Sequence, residues 1–212
     1  MKKIIITVDG TAGSGKQRIS KYIAKKYNLF HLDSGILYRR LSKMILNKKI
    51  QYDNSYKLNQ FISSIKSLSA RNHKTLRKES IGKIASKIAV NLKIREFINK
   101  QQRSIIKNIH NSYKGAVIDG RDIGSKVFKE AKIKLFIKVR PEIRSKRRHK
   151  QLIEQGEKSI HGEILKEIKL RDKADINRKE SPLQIPKNAI LIDNSGTFLN
   201  TIKQINQKLT KI

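Results

Sequence analysis

The chain opens with a segment whose residue types and spacing could bind phosphate. Glycines at positions 10, 13 and 15 precede a lysine in Gly10-Thr-Ala-Gly-Ser-Gly-Lys16. Loops of this form let backbone N–H groups curl around phosphate oxygens, while the lysine reaches the β- and γ-phosphates. The spacing is that of a Walker A motif, and it predicts a nucleotide bound at this loop.

The residue after the lysine departs from the usual motif. Walker A loops commonly carry Ser or Thr there, whose hydroxyl ligates magnesium, but this chain has Gln17 followed by Arg18. The sequence therefore predicts an intact anion cradle without the hydroxyl ligand. We hypothesise that Arg18 adds a direct cation to the phosphates. Asp119, at the end of an apolar run, is a candidate to hold a water of the magnesium shell.

A second set of charged residues lies far along the chain. Arg171, Asp175 and Arg178 are separated by intervals of four and three residues, so a helix would carry all three on one side. Arginine suits phosphate because its planar guanidinium donates bidentate hydrogen bonds and stays charged at working pH. A solvated helix face is the alternative interpretation. The same two interpretations apply to Arg147 and Arg148, which lie in a basic run.

The elements that would position these residues follow an alternating pattern. Apolar, strand-like runs are separated by segments with helical spacing, which is typical of an α/β fold. Such folds have a mainly parallel sheet with helices on both faces and bind ligands beyond the carboxyl ends of the strands. A helix over residues 16–27 would point its positive end at the phosphate. The expected strands are 4–8, 29–32, 116–118, 133–139 and 189–192.

Two regions do not fit the strand pattern. Residues 47–102 are helical and polar, and residues 150–183 are charged and helical. We interpret both as helical inserts in one domain, 1–212, because a chain of this length can bury one sizeable core. The remaining segments, 1–46, 103–149 and 184–212, would form that core.

The composition limits the classes of protein. Lys and Arg number 49 against 17 Asp and Glu, a net charge of +32, which would strengthen salt-dependent association with polyanions. The lysines are spread along the chain without an RNA-binding signature or tryptophan, so we expect no specific nucleic-acid partner. The absence of cysteine suits a reducing compartment, and no apolar run reaches the length of a membrane span. We expect a cytoplasmic monomer that does not bind membranes.

Several segments match those of a known family in order and spacing. Together they cover nearly the whole chain and resemble bacterial cytidylate kinases, members of the P-loop nucleoside monophosphate kinase superfamily. Adenylate, thymidylate and shikimate kinases share the cradle but lack the other signatures. Besides 10–18, the segments are His31-Leu-Asp-Ser34-Gly-Ile-Leu-Tyr38-Arg39, Ser86 with Ile94-Arg95-Glu96, Asp119-Gly-Arg121-Asp122-Ile-Gly124, Pro141-Glu-Ile-Arg144-Ser-Lys-Arg147-Arg148 and Arg171-Asp-Lys-Ala-Asp175-Ile-Asn-Arg178.

The resemblance implies an activity and a three-part architecture. Bacterial cytidylate kinases transfer the γ-phosphoryl group of ATP to CMP or dCMP with Mg²⁺, using a core, a monophosphate-binding insert and a mobile lid. The implied ATP-binding residues are Gly10, Thr11, Ala12, Gly13, Ser14, Gly15, Lys16, Gln17 and Arg18. The implied CMP-binding residues are Ser34, Arg39 and Arg121 for the phosphate, Ser86, Arg95 and Asp122 for cytosine, and Arg171 and Asp175 for the sugar. The implied catalytic cations are Lys16, Arg121, Arg171 and Arg178.

Cytosine recognition by these residues follows from hydrogen-bond complementarity. Cytosine offers acceptors at O2 and N3 and a donor amine at N4, which suit the Arg95 guanidinium and the Asp122 carboxylate. Uracil would place its O4 acceptor opposite the carboxylate and its N3–H donor opposite the guanidinium, so neither pair could form a hydrogen bond. A site that leaves buried polar groups unpaired discriminates strongly. No general base is needed, because the acceptor phosphate oxygen is already ionised, so catalysis consists of positioning and charge stabilisation.

Two other functions stay open on the sequence. One is a nucleoside monophosphate kinase with a different base preference, UMP being the nearest competitor. The other is a non-catalytic, nucleic-acid-binding P-loop protein, suggested by the net charge of +32 and the altered Gln17-Arg18 pair. The segment from Tyr38 to Ser86 is also shorter than is usual in the bacterial family, which predicts that part of a small sheet in the insert is missing.

Overall fold

The computed structural model describes residues 3–209. Its centre is a sheet of five strands that all pair in parallel, in the order β2-β3-β1-β4-β5. This confirms the predicted α/β fold, and each strand lies within a few residues of its expected position. The strands are Ile4–Gly10 (β1), Phe30–Asp33 (β2), Gly115–Gly120 (β3), Ile133–Lys138 (β4) and Ile190–Asp193 (β5).

Helices cover both faces of the sheet. The N-termini of three of them are capped by the side chains of Asn54, Asn91 and Thr197, each accepting a backbone N–H in the first turn, as short polar side chains do. The α-helices are Lys16–Tyr27 (α1), Ser34–Asn47 (α2), Ser55–Ser63 (α3), Glu79–Ile88 (α4), Leu92–Lys107 (α5), Pro141–Glu154 (α6), His161–Asn177 (α7) and Phe198–Lys208 (α8). A 3₁₀ turn spans Lys74–Arg77, and a short π-helical turn spans Ile123–Val127.

Two apolar clusters sandwich the sheet. On one face, Ile19 and Ile23 of α1 and Ile205 of α8 pack against strand residues such as Val117. On the other face, Ile106 of α5 joins strand residues and the turn after β3. The strands are buried on both sides, as expected of a parallel sheet, so their carboxyl ends form a rigid edge on which side chains can be aligned.

The region after α2 has an apolar cluster of its own. Leu37 and Leu41 of α2, Leu58 of α3, Ile88 of α4 and Ile98 of α5 belong to it. Between residues 48 and 91, all of which the structure describes, there are helical turns but no strand. The expected boundaries at 102 and 150 fall inside α5 and α6, so both inserts continue helices of the core, and the division into core, insert and lid stays a prediction.

One local expectation was wrong. Arg171 and Asp175 do share α7, but that helix ends at Asn177, and Arg178 follows it in an extended conformation with φ −62° and ψ 137°. Arg178 therefore reaches its neighbours from the chain after the helix. Over residues 3–209, none of the helices combines the length and apolarity that crossing a bilayer would require.

Candidate active site

A cleft of about 520 Å³ lies beyond the carboxyl ends of β1, β2 and β3. Its walls come from the glycine-rich loop, from α2, α4 and α5, from the turn after β3, and from α7. Three predicted residues, Gly10, Thr11 and Ser14, do not line it. The predicted residues that line the cleft are Ala12, Gly13, Gly15, Lys16, Gln17, Arg18, Ser34, Arg39, Ser86, Arg95, Asp119, Arg121, Asp122, Arg171, Asp175 and Arg178.

The glycine-rich loop is held in shape by its own backbone and by Asn194. Gly15 caps α1 with φ 82°, and a Cβ there would lie 2.4 Å from Asn194 Nδ2, so glycine is needed for both conformation and space. Asn194 donates from Nδ2 to the Ser14 carbonyl at 2.8 Å and accepts from Thr201 Oγ1 at 2.7 Å. The N-terminus of α1 is thereby fixed toward the cleft, which favours an anion.

Lys16 is a buried cation whose charge is only partly balanced. Its ammonium donates to the Thr11 carbonyl at 2.9 Å. Burial, reinforced by the charge of Arg121, lowers the pKa of Lys16 to about 7. Desolvation disfavours the charged form of a lysine, whereas a nearby negative charge favours it. A phosphate placed beside Lys16 would therefore raise its pKa again and favour the protonated ammonium.

The two unusual residues of the loop point in different directions. Gln17 donates from Nε2 to Asp33 Oδ2 at 2.9 Å, whereas the Arg18 guanidinium lies 3.7 Å from the centroid of the Phe198 ring. Arg18 is exposed and lines the cleft while stacked in this way. Its predicted contact with phosphate stays a prediction.

Two carboxylates lie side by side below the loop. Asp33 and Asp119 are register partners on β2 and β3, and Asp119 Oδ2 lies 2.6 Å from His31 Nε2. Burial raises the pKa of Asp119 above its usual range, and His31 opposes that rise. Among the described residues, no three His, Cys, Asp or Glu side chains cluster as a metal-binding group. Mg²⁺ commonly binds one or two carboxylates together with substrate phosphates, so this pair fits that mode.

Arginines reach the cleft from α2, from the turn after β3 and from α7. Arg39 on α2 donates from Nη1 to the Leu76 carbonyl at 2.9 Å, and Arg121 donates from Nε to Asp175 Oδ2 at 2.8 Å. Burial lowers the pKa of Arg171 to about 10, helped by the charge of Arg121. Burial alone would raise the pKa of Asp175, but Arg121 lowers it below its usual range. The cations therefore crowd around one space, where an anion would relieve their repulsion.

The floor of the cleft is an ion pair between Arg95 and Asp122. Arg95 Nη2 donates to Asp122 Oδ2, and its Nη1 donates to the Ala89 carbonyl at 2.9 Å. Arg178 Nη2 lies 3.8 Å from Asp122 Oδ1. The buried Nε of Arg95 and Nη2 of Arg178 have no hydrogen-bond acceptor in the described structure. Buried donors are normally paired, so each nitrogen is a candidate donor to a ligand.

Ser86 lies at the same end of the cleft on α4. Its hydroxyl donates to the Gly82 carbonyl at 3.2 Å, one turn earlier. Ser34 begins α2 directly after β2, next to Gly120 of β3. A Cβ at Gly120 would lie 2.5 Å from Ser34 Oγ, so glycine is required for the end of β3 and the start of α2 to approach so closely.

Sequence reasoning missed two residues that shape the site, Arg144 and Arg77. Arg144 is buried and donates to the Ala12 carbonyl at 3.0 Å and to both oxygens of Asp172, tying the loop to α7. Arg77 donates to Asp33 at 2.7 Å. The motif residues around Arg144 and Asp33 were visible in the sequence, but nothing in their spacing indicated these partners. Arg147, for which two interpretations were open, donates to the carbonyls of 194–196 beside the loop.

The fold and the cleft together define a class of protein. A parallel sheet whose first strand feeds a glycine-rich loop and helix, with arginines from several elements lining the cleft beside that loop, is the architecture of a P-loop phosphotransferase. A crystal structure of TT1252 from Thermus thermophilus is similar, with a TM-score of 0.53 at 13% identity, covering 100% of this chain and 99% of that one. This likeness concerns the fold alone.

Sequence comparisons identify the family. The cytidylate kinase family model matches residues 6–212. The chain is 40% identical over 194 residues to a cytidylate kinase of Rickettsia akari, covering 92% of this chain and 85% of that protein. It is 34% identical to a cytidylate kinase of Fusobacterium nucleatum, with 100% of both chains covered. The chain belongs to the cytidylate kinase family.

Proposed function

We propose that this chain transfers the γ-phosphoryl group of ATP to CMP or dCMP, producing ADP and CDP or dCDP. The observation that carries the proposal is that eight lysine and arginine side chains line one cleft, and we assign phosphate binding to five of these cations. Two nucleotides carry mutually repelling phosphates, and fixed positive groups on several sides are needed to hold them at reacting distance. The cations are Lys16, Arg39, Arg121, Arg171 and Arg178.

The glycine-rich loop is the proposed donor site. Backbone N–H groups at the start of α1 would bind the ATP phosphates, with Lys16 on the β- and γ-phosphates. The transferred phosphoryl carries charge on its oxygens in the transition state, and Arg121, Arg171 and Arg178 would stabilise that charge. Closure of the lid over the cleft would exclude water, which otherwise competes as acceptor.

The acceptor site would lie between the insert and the turn after β3. Ser34, Arg39 and Arg121 would bind the monophosphate, while Arg171 and Asp175 would bind the sugar. Ser86, Arg95 and Asp122 would read cytosine. The proposed base reading is supported by the unpaired Nε of Arg95 and by the carboxylate of Asp122, because cytosine supplies matching acceptors and a donor.

Magnesium is the proposed metal. Asp119 would hold a water of its shell, with Asp33 beside it on the neighbouring strand. When bound with ATP, Mg²⁺ neutralises charge on the β- and γ-phosphates. The side chain of Gln17 is engaged by Asp33, so we propose that carboxylates support the metal in place of the missing hydroxyl. The proposed setting is a reducing cytoplasm, in keeping with the absence of cysteine from the sequence.

The test is ADP release coupled to acceptor phosphorylation. We expect turnover with CMP and dCMP, less with UMP and least with AMP, at several magnesium concentrations. Arg121→Ala should lower turnover about 100-fold or more, as the loss of a transition-state donor does. Arg103→Ala is the control, since Arg103 is an exposed arginine paired at 3.6 Å with the exposed Glu130.

Two outcomes would contradict the proposal. A preference for AMP would contradict the roles of Ser86, Arg95 and Asp122. Tight RNA binding at physiological salt with no CMP-dependent ADP release would favour a non-catalytic, nucleic-acid-binding function instead. The role of Arg18 is tested separately, because Arg18→Thr should weaken ATP binding and turnover if its guanidinium contacts phosphate.

A further inference from the structure

Asp33 lies where a helix-capping residue would lie, but its side chain does not cap the helix. It is the residue before α2, and its carboxylate makes no hydrogen bond to the first turn of that helix. Aspartate at this position normally accepts an N–H of the first turn. The carboxylate is turned instead toward two side chains from other parts of the molecule.

Both partners donate to the same oxygen of Asp33. Gln17 Nε2 lies 2.9 Å from Oδ2, and Arg77 Nη2 lies 2.7 Å from it. Gln17 belongs to the first turn of α1, at the donor loop, whereas Arg77 belongs to the 3₁₀ turn 74–77 of the insert. All three residues line the cleft. A single carboxylate thus joins the donor loop to the insert.

The turn that holds Arg77 is also bound by Arg39 of α2. Arg39 Nη1 donates to the carbonyls of Leu76 and Lys78, at 2.9 and 3.3 Å, on either side of Arg77. A Cβ at Gly82 of α4 would lie 2.9 Å from Arg39 Nη2, so α4 packs directly on this guanidinium. Fixing Arg77 therefore fixes the backbone that orients Arg39, which is the proposed ligand of the acceptor phosphate.

We propose that Asp33, Gln17 and Arg77 form a positioning bridge that couples occupation of the donor site to affinity at the acceptor site. The inference rests on the proposed function. The backbone of the first turn of α1 is already fixed by Asn194, so ATP bound at the loop would restrict the Gln17 side chain, which lines the cleft. The bridge then orders the turn that carries Arg77 before CMP arrives, so CMP binding costs less conformational entropy. Coupling of this kind is reciprocal.

Gln17 makes the bridge a property of this chain. The Ser or Thr that Walker A loops commonly carry after the lysine has a side chain too short to span from α1 to Asp33. The glutamine that replaces this hydroxyl adds a donor that reaches the acceptor half of the cleft. The departure from the motif is thereby explained by a contact rather than by loss of function.

The experiment measures CMP affinity by calorimetry with and without a non-hydrolysable ATP analogue, in the presence of Mg²⁺. The ratio of the two affinities is the coupling factor. In the unaltered chain we expect it to exceed about 5, the lower end of typical allosteric couplings. Gln17→Gly and Arg77→Ala should each bring the ratio close to 1. The double variant should reduce it no further, because both changes break one bridge.

Matched variants separate the bridge from general effects. Arg71→Ala removes an exposed arginine of the insert and should leave the coupling factor unchanged. Arg77→Lys keeps a cation opposite Asp33 and should retain part of the coupling. Gln17→Gly is the decisive variant if Arg77→Ala does not fold, since it removes one donor of the bridge without changing the insert.

The outcomes distinguish this inference from the proposed function. If the analogue and CMP both bind and Gln17→Gly keeps the full coupling factor, or the unaltered chain shows no coupling, the bridge is refuted while the kinase assignment stands. Additive losses from Gln17→Gly and Arg77→Ala would also refute it. If neither nucleotide binds the unaltered chain, the proposed function itself fails.

Discussion

The Arg95 guanidinium donates to the Asp122 carboxylate at the floor of the cleft, and both side chains are less than a tenth exposed. The two residues come from α5 and from the turn after β3, 27 positions apart. A buried charge without its partner is costly, so each residue holds the other in place. We propose that the pair presents a donor and an acceptor side by side to the base, the pattern that cytosine complements.

We therefore expect Asp122→Asn to reduce discrimination between CMP and UMP. The amide keeps the shape of the carboxylate but can donate to O4 of uracil, so the ratio of kcat/KM values for CMP and UMP should fall about 10-fold or more. Steady-state kinetics with both acceptors measures this ratio. Asp53→Asn changes an exposed residue of the insert and should leave it unaltered. An unchanged ratio in Asp122→Asn would exclude Asp122 from base reading.

Lys16 should take up a proton when ATP binds. Burial first, and then the charge of Arg121, lower its pKa to about 7, so at pH 8 and without nucleotide much of the protein carries a neutral Lys16. The phosphates raise that pKa, and the ammonium reforms. Calorimetric titrations with ATP at pH 8 should give observed binding enthalpies that differ between buffers of different protonation enthalpy, because the buffer supplies the proton. Lys16→Arg, which stays charged, should abolish the difference; equal heats in the unaltered chain would contradict the prediction.

Asp9 should make the chain less stable as the pH rises from about 4 to 6. It accepts from the backbone N–H groups of Ile123 and Gly124 at 2.8 and 2.7 Å, yet burial raises its pKa from 3.8 to about 6. The folded chain therefore binds a proton that the unfolded chain has released, so this group's contribution to stability falls through that window.

The comparison that isolates this group is Asp9→Asn, whose side chain does not titrate. The stability of the unaltered chain relative to the variant should fall by up to about 3 kcal/mol between pH 4 and pH 7. Urea unfolding of both proteins at several pH values gives the difference. A difference that is independent of pH would mean that Asp9 keeps an ordinary pKa.

Arg144→Ala should destabilise the fold. Arg144 is buried and bridges the Ala12 carbonyl, the Val139 carbonyl and Asp172, and removing one partner of a buried pair leaves the other charge uncompensated. The free energy of unfolding should fall by about 3–5 kcal/mol, measured by urea denaturation. Lys169→Ala, which breaks an exposed contact of 3.6 Å with Glu142, should cost less than about 1 kcal/mol. A similar cost for both variants would contradict this prediction.

The local elements could be read from the sequence because their causes are local. Glycine spacing and the following lysine predict the loop, since backbone conformation depends on the residues of the loop itself. The apolar runs predict all five strands, and periodicity predicts α1 over Lys16–Tyr27. The position of Arg178 was predicted less well, because α7 ends at Asn177 and helix ends depend on surrounding contacts as much as on periodicity.

Within the sequence alone, the glycines, the lysine and the arginine motifs determined the class of chemistry and its family. Only the tertiary structure decided which charges meet. Arg144 donates to Asp172, 28 positions along the chain. Gln17 donates to Asp33, and Arg77 donates to the same Asp33 carboxylate from 44 positions away. The Gln17–Asp33 contact depends on the strand order β2-β3-β1, which brings the segments that follow β1 and β2 to one edge of the sheet. The Arg144–Asp172 contact depends on the packing of α6 against α7. Residue spacing along the chain carries no record of either arrangement.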